Sequence, residues 1–421
     1  MQLTKLDNGL TVVTETMSHL ESAAIGIWVN AGTRSEEDRE HGISHLLEHM
    51  AFKGTTRRTA RDIAETIESV GGEINAATSI DHTAFYARVL RDDIPLAVDV
   101  LSDILVNSTF APEELARERH VILQEIGAVL DTPDDLVFDH FQASAYPDQP
   151  IGRTILGEEE SISRITSQDL KNYLARHYRG DSLVLAAAGA VDHKEMVAMA
   201  KEHLSGLARD GTLEPEPARY LGGERRLRKR LQEAQVIYGF EAPSRRSERY
   251  FAGRLVGTIL GDGMASRLFQ SVREENGLCY SISAFHWAFA DSGVLGVHTA
   301  TSKGDVKAAN ALIIEELLKM TDGVKEEELA RAKAQIKAGL LMALESPAAR
   351  AGQLARQIMI LGRPVALEEL LADLDRMTSK DVAEMARDAL SSPLTLAAVG
   401  PIGGLPDSAA ISGRLRGSLL V

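Results

Sequence analysis

His45-Leu46-Leu47-Glu48-His49 carries two imidazoles and a carboxylate within five residues. On an α-helix each residue advances about 100°, so His45 and His49 stand about 40° apart, one turn along the same face. That spacing suits a single metal ion gripped by two nitrogens. Glu48 follows His45 by three residues, near enough to the same face to act on a water there as a base without being a ligand. The flanking residues predict a short, largely buried helix. Gly42 and Ser44 supply a turn and a cap, Ile43, Leu46, Leu47, Met50 and Phe52 an apolar periodicity, and Gly54 the stop after Lys53. A surface helix that carries two His and a Glu by chance is the competing reading. Burial argues against it, because a buried neutral imidazole is costly without a partner and a metal is the partner this spacing fits.

Catalytic zinc commonly takes three protein ligands and keeps a position for water, so a third must come from elsewhere. PEELARERHVILQEIGAVL, Pro112 to Leu130, reads as a long helix with Pro112 near its start and Glu113 and Glu114 in its first turn. Glu118 and Glu125 are seven residues apart on it, a net rotation of about 20°, and so share a face. Val121 and Ile122 are expected on that stripe, whereas Arg117, Arg119 and Gln124 point elsewhere. Two carboxylates on the apolar side of a helix need compensation: a metal would supply it for one, and a hydrogen bond to a ligating imidazole for the other. Helix phase does not rank the two acids.

GISHLLEHMAFKGT (Gly42 to Thr55), GGEINAATSIDHTAFYARV (Gly71 to Val89) and ERHVILQEI (Glu118 to Ile126) together resemble the M16 metallopeptidases, the pitrilysin, insulin-degrading enzyme and mitochondrial processing peptidase family. These are inverzincins, named for the order H-x-x-E-H. The resemblance is strongest to the processing peptidase's β-subunit and to bacterial single-chain relatives. It implies His45, His49 and Glu125 as ligands of one Zn2+ per chain, Glu48 as general base and Glu118 as the catalytic-site carboxylate that supports them. It implies a fold of the LuxS/MPP-like metallohydrolase type.

Glu73 to Thr78 and Thr83 to Val89 read as a hairpin of two antiparallel strands. By the same resemblance the first is an exposed edge on which an extended peptide adds as a further strand, with Asn75 and Ala76 binding its backbone. In SRLFQSVREENGLCYSISAFH, Ser266 to His286, Arg273 and Tyr280 flank the Gly277 turn. The family analogy gives them substrate backbone binding and polarisation of the oxyanion; read alone, they are a helix-surface charge and a strand aromatic.

A duplication organises the chain. ITSQDLKNYLARHYRGDSLVLAAAGAV (Ile165 to Val191) is echoed by MTSKDVAEMARDALSSPLTLAAVGP (Met377 to Pro401): a Thr-Ser cap, an amphipathic helix, then a Leu/Ala-rich strand ending at glycine. The predicted architecture is α+β, two homologous domains that each pack a mostly antiparallel sheet with helices. Residues 1–208 form the catalytic zinc domain, 209–232 a Gly-, Pro- and charge-rich linker, and 233–421 a non-catalytic substrate-binding domain.

The 421 residues, 44% hydrophobic, suffice for two cores. A net charge of -15 argues against nucleic acid as partner. The basic run Arg225 to Arg230 reads as a solvated charged strand. Cys279 is alone, so no intrachain disulfide forms, and it reads as a buried small residue. The N-terminus lacks the apolar core of a secretory signal, and the longest apolar run, Leu183 to Val191, is too short to span a bilayer. A cytoplasmic location without membrane association is expected.

The expected activity is zinc-dependent endopeptidase cleavage of peptides or presequence-like extended segments. Longer family members enclose a chamber with four such domains, so a second chain is expected here, in a homodimer or a heterodimer with a related subunit. Leu260-Gly261-Asp262-Gly263-Met264 is short beside the glycine-rich loop of the processing peptidase's partner subunit, so general peptide degradation stands level with presequence processing. The alternative is a noncatalytic M16-like scaffold or core subunit, a class whose metal motif is degraded.

Overall fold

A computed structural model of the chain describes residues 1–209 and 215–419. Residues 210–214, part of the expected linker, lie outside the described residues. The chain forms two units: Met1–Gly127 with Arg153–Glu216 and Leu340–Val365, and Ala128–Gly152 with Pro217–Gly339 and Ala366–Val421.

The first unit is built on β1 (Gln2–Lys5), β2 (Thr11–Thr16), β3 (Ser22–Val29), β4 (Glu73–Thr78), β5 (Thr83–Leu90) and β6 (Leu183–Gly189), in the order β1-β2-β6-β3-β5-β4. The second is built on β7 (Gly223–Arg228), β8 (Glu233–Glu241), β9 (Ser281–Ala288), β10 (Gly293–Ser302) and β11 (Thr395–Gly400), in the order β7-β11-β8-β10-β9. In each sheet one ladder is parallel, β2 with β6 and β7 with β11, and the others are antiparallel. Without β1 the two orders coincide strand for strand, as the duplication predicts. The shared signature is local. Thr166 and Thr378 each close a capping box with the Asp three residues on, starting the Ser167–His177 and Ser379–Ser391 helices. The strands that follow end at Gly189 and Gly400, with φ of +114° and +116°; a Cβ there would stand 2.4 and 2.6 Å from the carbonyls of Ser22 and Glu233.

Both faces of the first sheet are covered. Val12, Ile25, Ile27, Leu185 and Ala187 face one core with the Ile43–Ala51 and Ile94–Val106 helices. Val13, Trp28, Val184, Ala186 and Ala188 face another, against Ala351, Leu354 and Ala355 of the Pro347–Leu361 helix. Burial on both sides is why Leu183 to Val191 reads as an unbroken apolar run. Among the described residues no helix is long and apolar enough to cross a membrane.

The units are not the contiguous stretches 1–208 and 233–421. The Pro347–Leu361 helix packs on β2, β3 and β6, and the Pro133–Ala145 helix packs on β7, β8 and β11, so each sheet takes one covering helix from the opposite half of the chain. An amphipathic pattern announces that a helix face is buried but not which sheet buries it, hence the simpler boundary. Residues 223–228, inside the expected linker, form β7, in keeping with the charged-strand reading of that run.

Candidate metal centre

The Ile43–Ala51 helix lies on β4 and beside the Ser167–His177 helix, with Leu46, Leu47 and Met50 almost wholly buried. Its cap differs from the expected one. Ser44 is inside the helix, where its Oγ pairs with the Tyr173 hydroxyl at 2.8 Å. The N-terminus is closed instead by Glu36, whose two carboxylate oxygens accept the N–H groups of Gly42 (2.8 Å) and Ser44 (2.9 Å). Burial pushes the Glu36 carboxyl up to about 8, against the N–H donors and Arg153, which favour its charged form.

His45, His49 and Glu125 converge. Glu125 Oε2 lies 3.8 Å from His45 Nε2 and 3.9 Å from His49 Nε2, and the three candidate ligand atoms are within 4.8 Å of one another. Tetrahedral zinc with bonds of about 2.0–2.1 Å sets its ligands about 3.3 Å apart, so the observed spacing fits after a small contraction. The donor set fits as well. Burial, then the neighbouring His49, lowers His45 to about 4, leaving the neutral imidazole that ligation requires. His49 Nδ1–H donates to Glu118 Oε2 at 3.0 Å, which turns Nε2 toward Glu125.

Glu118 and Glu125 thus share a helix, Pro112–Asp131, and a side of it, but differ in setting. The Glu118 side chain is 8% exposed and holds Lys53 Nζ at 2.8 Å as well as His49; that of Glu125 is 40% exposed. Ile122 is buried between them as expected, whereas Val121, expected beside it, is exposed because one residue is about 100° of rotation. Glu48 is half-buried, and its Oε2 accepts from Thr78 Oγ1 at 2.5 Å. Lys53, Thr78 and Glu36 were not singled out by the sequence. Lys53 stands one turn after His49, which was the available signal for it. Thr78 acts through a partner 30 residues away, and Glu36 through backbone N–H groups six and eight residues on, outside any helical spacing.

Asn75 and Ala76 lie on β4, the last strand of its sheet, Asn75 exposed and Ala76 buried. Asn75 Oδ1 accepts the Ala76 N–H at 2.8 Å. A cleft of about 820 Å³ opens along this strand, lined by Phe52, Ile74, Asn75, Tyr86 and Arg88 among others. Arg273 and Tyr280 belong to the second unit. The Arg273 guanidinium lies 4.6 Å from the Phe269 ring centre, and Tyr280 is 75% exposed. Cys279, expected buried, is half-buried, and burial raises its thiol, which disfavours a thiolate nucleophile.

Behind Ser44, the Tyr173 ring packs on buried His177 with centroids 4.5 Å apart, and Arg176 Nε donates to His177 Nε2 at 3.1 Å. Burial, then Arg176, lowers His177 to about 4. Between pH 4 and 6.5 the unfolded chain therefore takes a proton here that the folded chain refuses, and stability falls as pH falls through that window. Glu36 acts in the opposite sense between 4.5 and about 8, so the test is a difference. In His177→Gln, whose amide oxygen still accepts from Arg176, urea unfolding should lose less stability than wild type from pH 6.5 to 4.5, by up to about 1.4 kcal/mol per pH unit. Equal slopes would show that His177 is not the group responsible.

The profile of the insulinase family, peptidase family M16, matches residues 11–159, and that of the M16 inactive domain matches residues 164–336. The chain is 40% identical over 400 residues to a protein of Rickettsia felis named an uncharacterized zinc protease, covering 95% of this chain and 97% of that one. It is 36% identical over 422 residues to an Arabidopsis thaliana protein named a probable mitochondrial-processing peptidase subunit beta, covering 96% and 79%. Its fold matches a chain of Complex III2 from Candida albicans with a TM-score of 0.87 at 24% identity, covering 99% of each.

Proposed function

The chain belongs to peptidase family M16, and from that premise we propose that it is a zinc-dependent endopeptidase acting on extended peptides. One observation carries the proposal: His45 Nε2, His49 Nε2 and Glu125 Oε2 converge, while the half-buried Glu48 on the same helix as the two imidazoles is not among the converging donors and is held by Thr78 instead. In this reading those three residues hold one zinc ion. Bound there, zinc would supply a Lewis acid that polarises the scissile carbonyl and acidifies water.

The protein's own residues do the rest. Glu48 takes a proton from the attacking water and returns it to the leaving amine nitrogen, with no covalent intermediate. Glu118 holds the His49 ring through Nδ1 and is itself balanced by Lys53. The free edge of β4 offers main-chain donors and acceptors to an extended segment, so conformation should govern selection more than side-chain identity. Asn75 would release the Ala76 N–H to receive it. Arg273 and Tyr280 stand in the proposal as substrate-backbone and oxyanion residues; Arg273→Ala and Tyr280→Phe with wild-type kcat/KM would remove them from it.

A second chain that closes a chamber over the first, identical or related, completes the proposal. Sedimentation showing a monomer at full activity would remove that part. Chelation should abolish cleavage of a fluorogenic peptide, and stoichiometric zinc should restore it; a metal-free protein of unchanged activity would end the zinc reading. The fold match to a respiratory-complex chain also suits a noncatalytic scaffold. The complete His45, Glu48, His49 and Glu125 set favours the enzyme, and stable association with a membrane complex without zinc uptake would reverse that preference.

A further inference from the structure

A glutamate side chain has three rotatable bonds, and a base has to be held where its proton arrives. Glu48 is held from outside its own helix. Thr78 Oγ1 donates to Glu48 Oε2 at 2.5 Å, while the other acceptor near that hydroxyl, the Ser44 carbonyl, is 3.5 Å away. The single hydroxyl proton therefore serves the carboxylate. Glu48 Oε1 makes no hydrogen bond among the described residues.

We infer that Thr78 is a positioning residue for the base: it fixes Glu48 Oε2 and leaves Oε1 as the oxygen that takes the proton. This rests on the peptidase reading. Three features of the strand support it. Threonine is β-branched, so its hydroxyl occupies few rotamers. Thr78 pairs with Thr83 of β5, which is wholly buried and donates to the Ala31 carbonyl at 3.0 Å, so the end of β4 is anchored. Thr78 also lies three residues from Asn75 on the strand whose free edge would receive the peptide. One strand thus presents the substrate's backbone partners and orients the base. In the proton transfer, a water O–H bond breaks as Oε1 gains its proton and the water oxygen bonds to the carbonyl carbon; the scissile C–N bond then breaks and the proton leaves on the amine nitrogen.

Thr78→Val keeps the shape of the side chain and removes the hydroxyl; Thr78→Ser restores the hydroxyl. With a fluorogenic peptide, kcat of Thr78→Val should fall about 10- to 100-fold with KM, zinc content and melting temperature near wild type, and Thr78→Ser should recover most of the loss. Crystals of Thr78→Val should show the Glu48 carboxylate moved from its wild-type position, a result independent of turnover. If valine disturbs the strand, Thr78→Ala makes the same comparison. A kcat for Thr78→Val within about 2-fold of wild type, a serine variant as impaired as the valine one, or a loss explained by lost zinc would overturn the inference. Glu48→Gln run in parallel separates the two levels. If the wild type cleaves no peptide, the peptidase reading fails; if Glu48→Gln is fully active, the assignment of Glu48 as base fails and the role of Thr78 with it; if Glu48→Gln is inactive while Thr78→Val is normal, only the role of Thr78 fails.

Discussion

Glu48→Gln should lower kcat for a fluorogenic peptide by about 10²- to 10⁴-fold while each chain still binds zinc. The substitution is nearly isosteric, and its amide oxygen can still accept from Thr78, so the helix and the hydrogen bond to β4 should persist. What disappears is the capacity to take a proton. A ligand would behave differently, because its loss would empty the site and reduce activity through the metal. Zinc analysis beside single-turnover kinetics distinguishes the two. Retained zinc with lost turnover identifies a base, lost zinc would place Glu48 among the ligands, and full activity would refute the proposed chemistry.

Residues whose partners are local were legible before any coordinates. The one-turn spacing of His45 and His49, the capping boxes at Thr166 and Thr378 and the β4–β5 hairpin all follow from periodicities of a few residues. The shared side of Glu118 and Glu125 was also readable. Their difference was not, because seven residues separate them by only about 20° of rotation but by about 10.5 Å along the axis, and phase records only the first. That axial step sets Glu118 against His49 Nδ1 and Lys53, and Glu125 against both Nε2 atoms. Glu36 escaped notice because the helix it caps has its N-cap, Gly42, six residues later, beyond the Asp38–Glu40 turn. Thr78 did so because a 30-residue separation leaves no periodic trace of a hydrogen bond. The covering helices Pro133–Ala145 and Pro347–Leu361 were missed for a related reason: apolar faces fit either sheet, and only the folded chain pairs them.

Glu125→Ala should abolish zinc binding under conditions that saturate the wild type, and Glu118→Gln should weaken it only about 10- to 100-fold. Glu125 offers the third donor atom, 3.8 and 3.9 Å from the two imidazole nitrogens, and a 40%-exposed side chain can be removed without leaving a buried charge unpaired. Its loss leaves two imidazoles, one fewer than the three protein ligands usual in catalytic zinc sites. Glu118 touches the metal site only through His49 Nδ1, and the glutamine amide oxygen can keep that hydrogen bond while losing the charge-assisted part of it that fixes the ring. Removing that charge also strands Lys53 Nζ, which lies 2.8 Å away with its side chain 32% exposed, so Glu118→Gln should cost more folding stability than Glu125→Ala. Titration with a competing chelator, alongside urea unfolding of the metal-free proteins, measures both orders. If Glu118→Gln empties the site while Glu125→Ala keeps its zinc, the two carboxylates exchange roles; if both variants bind zinc as wild type does, the metal is held elsewhere.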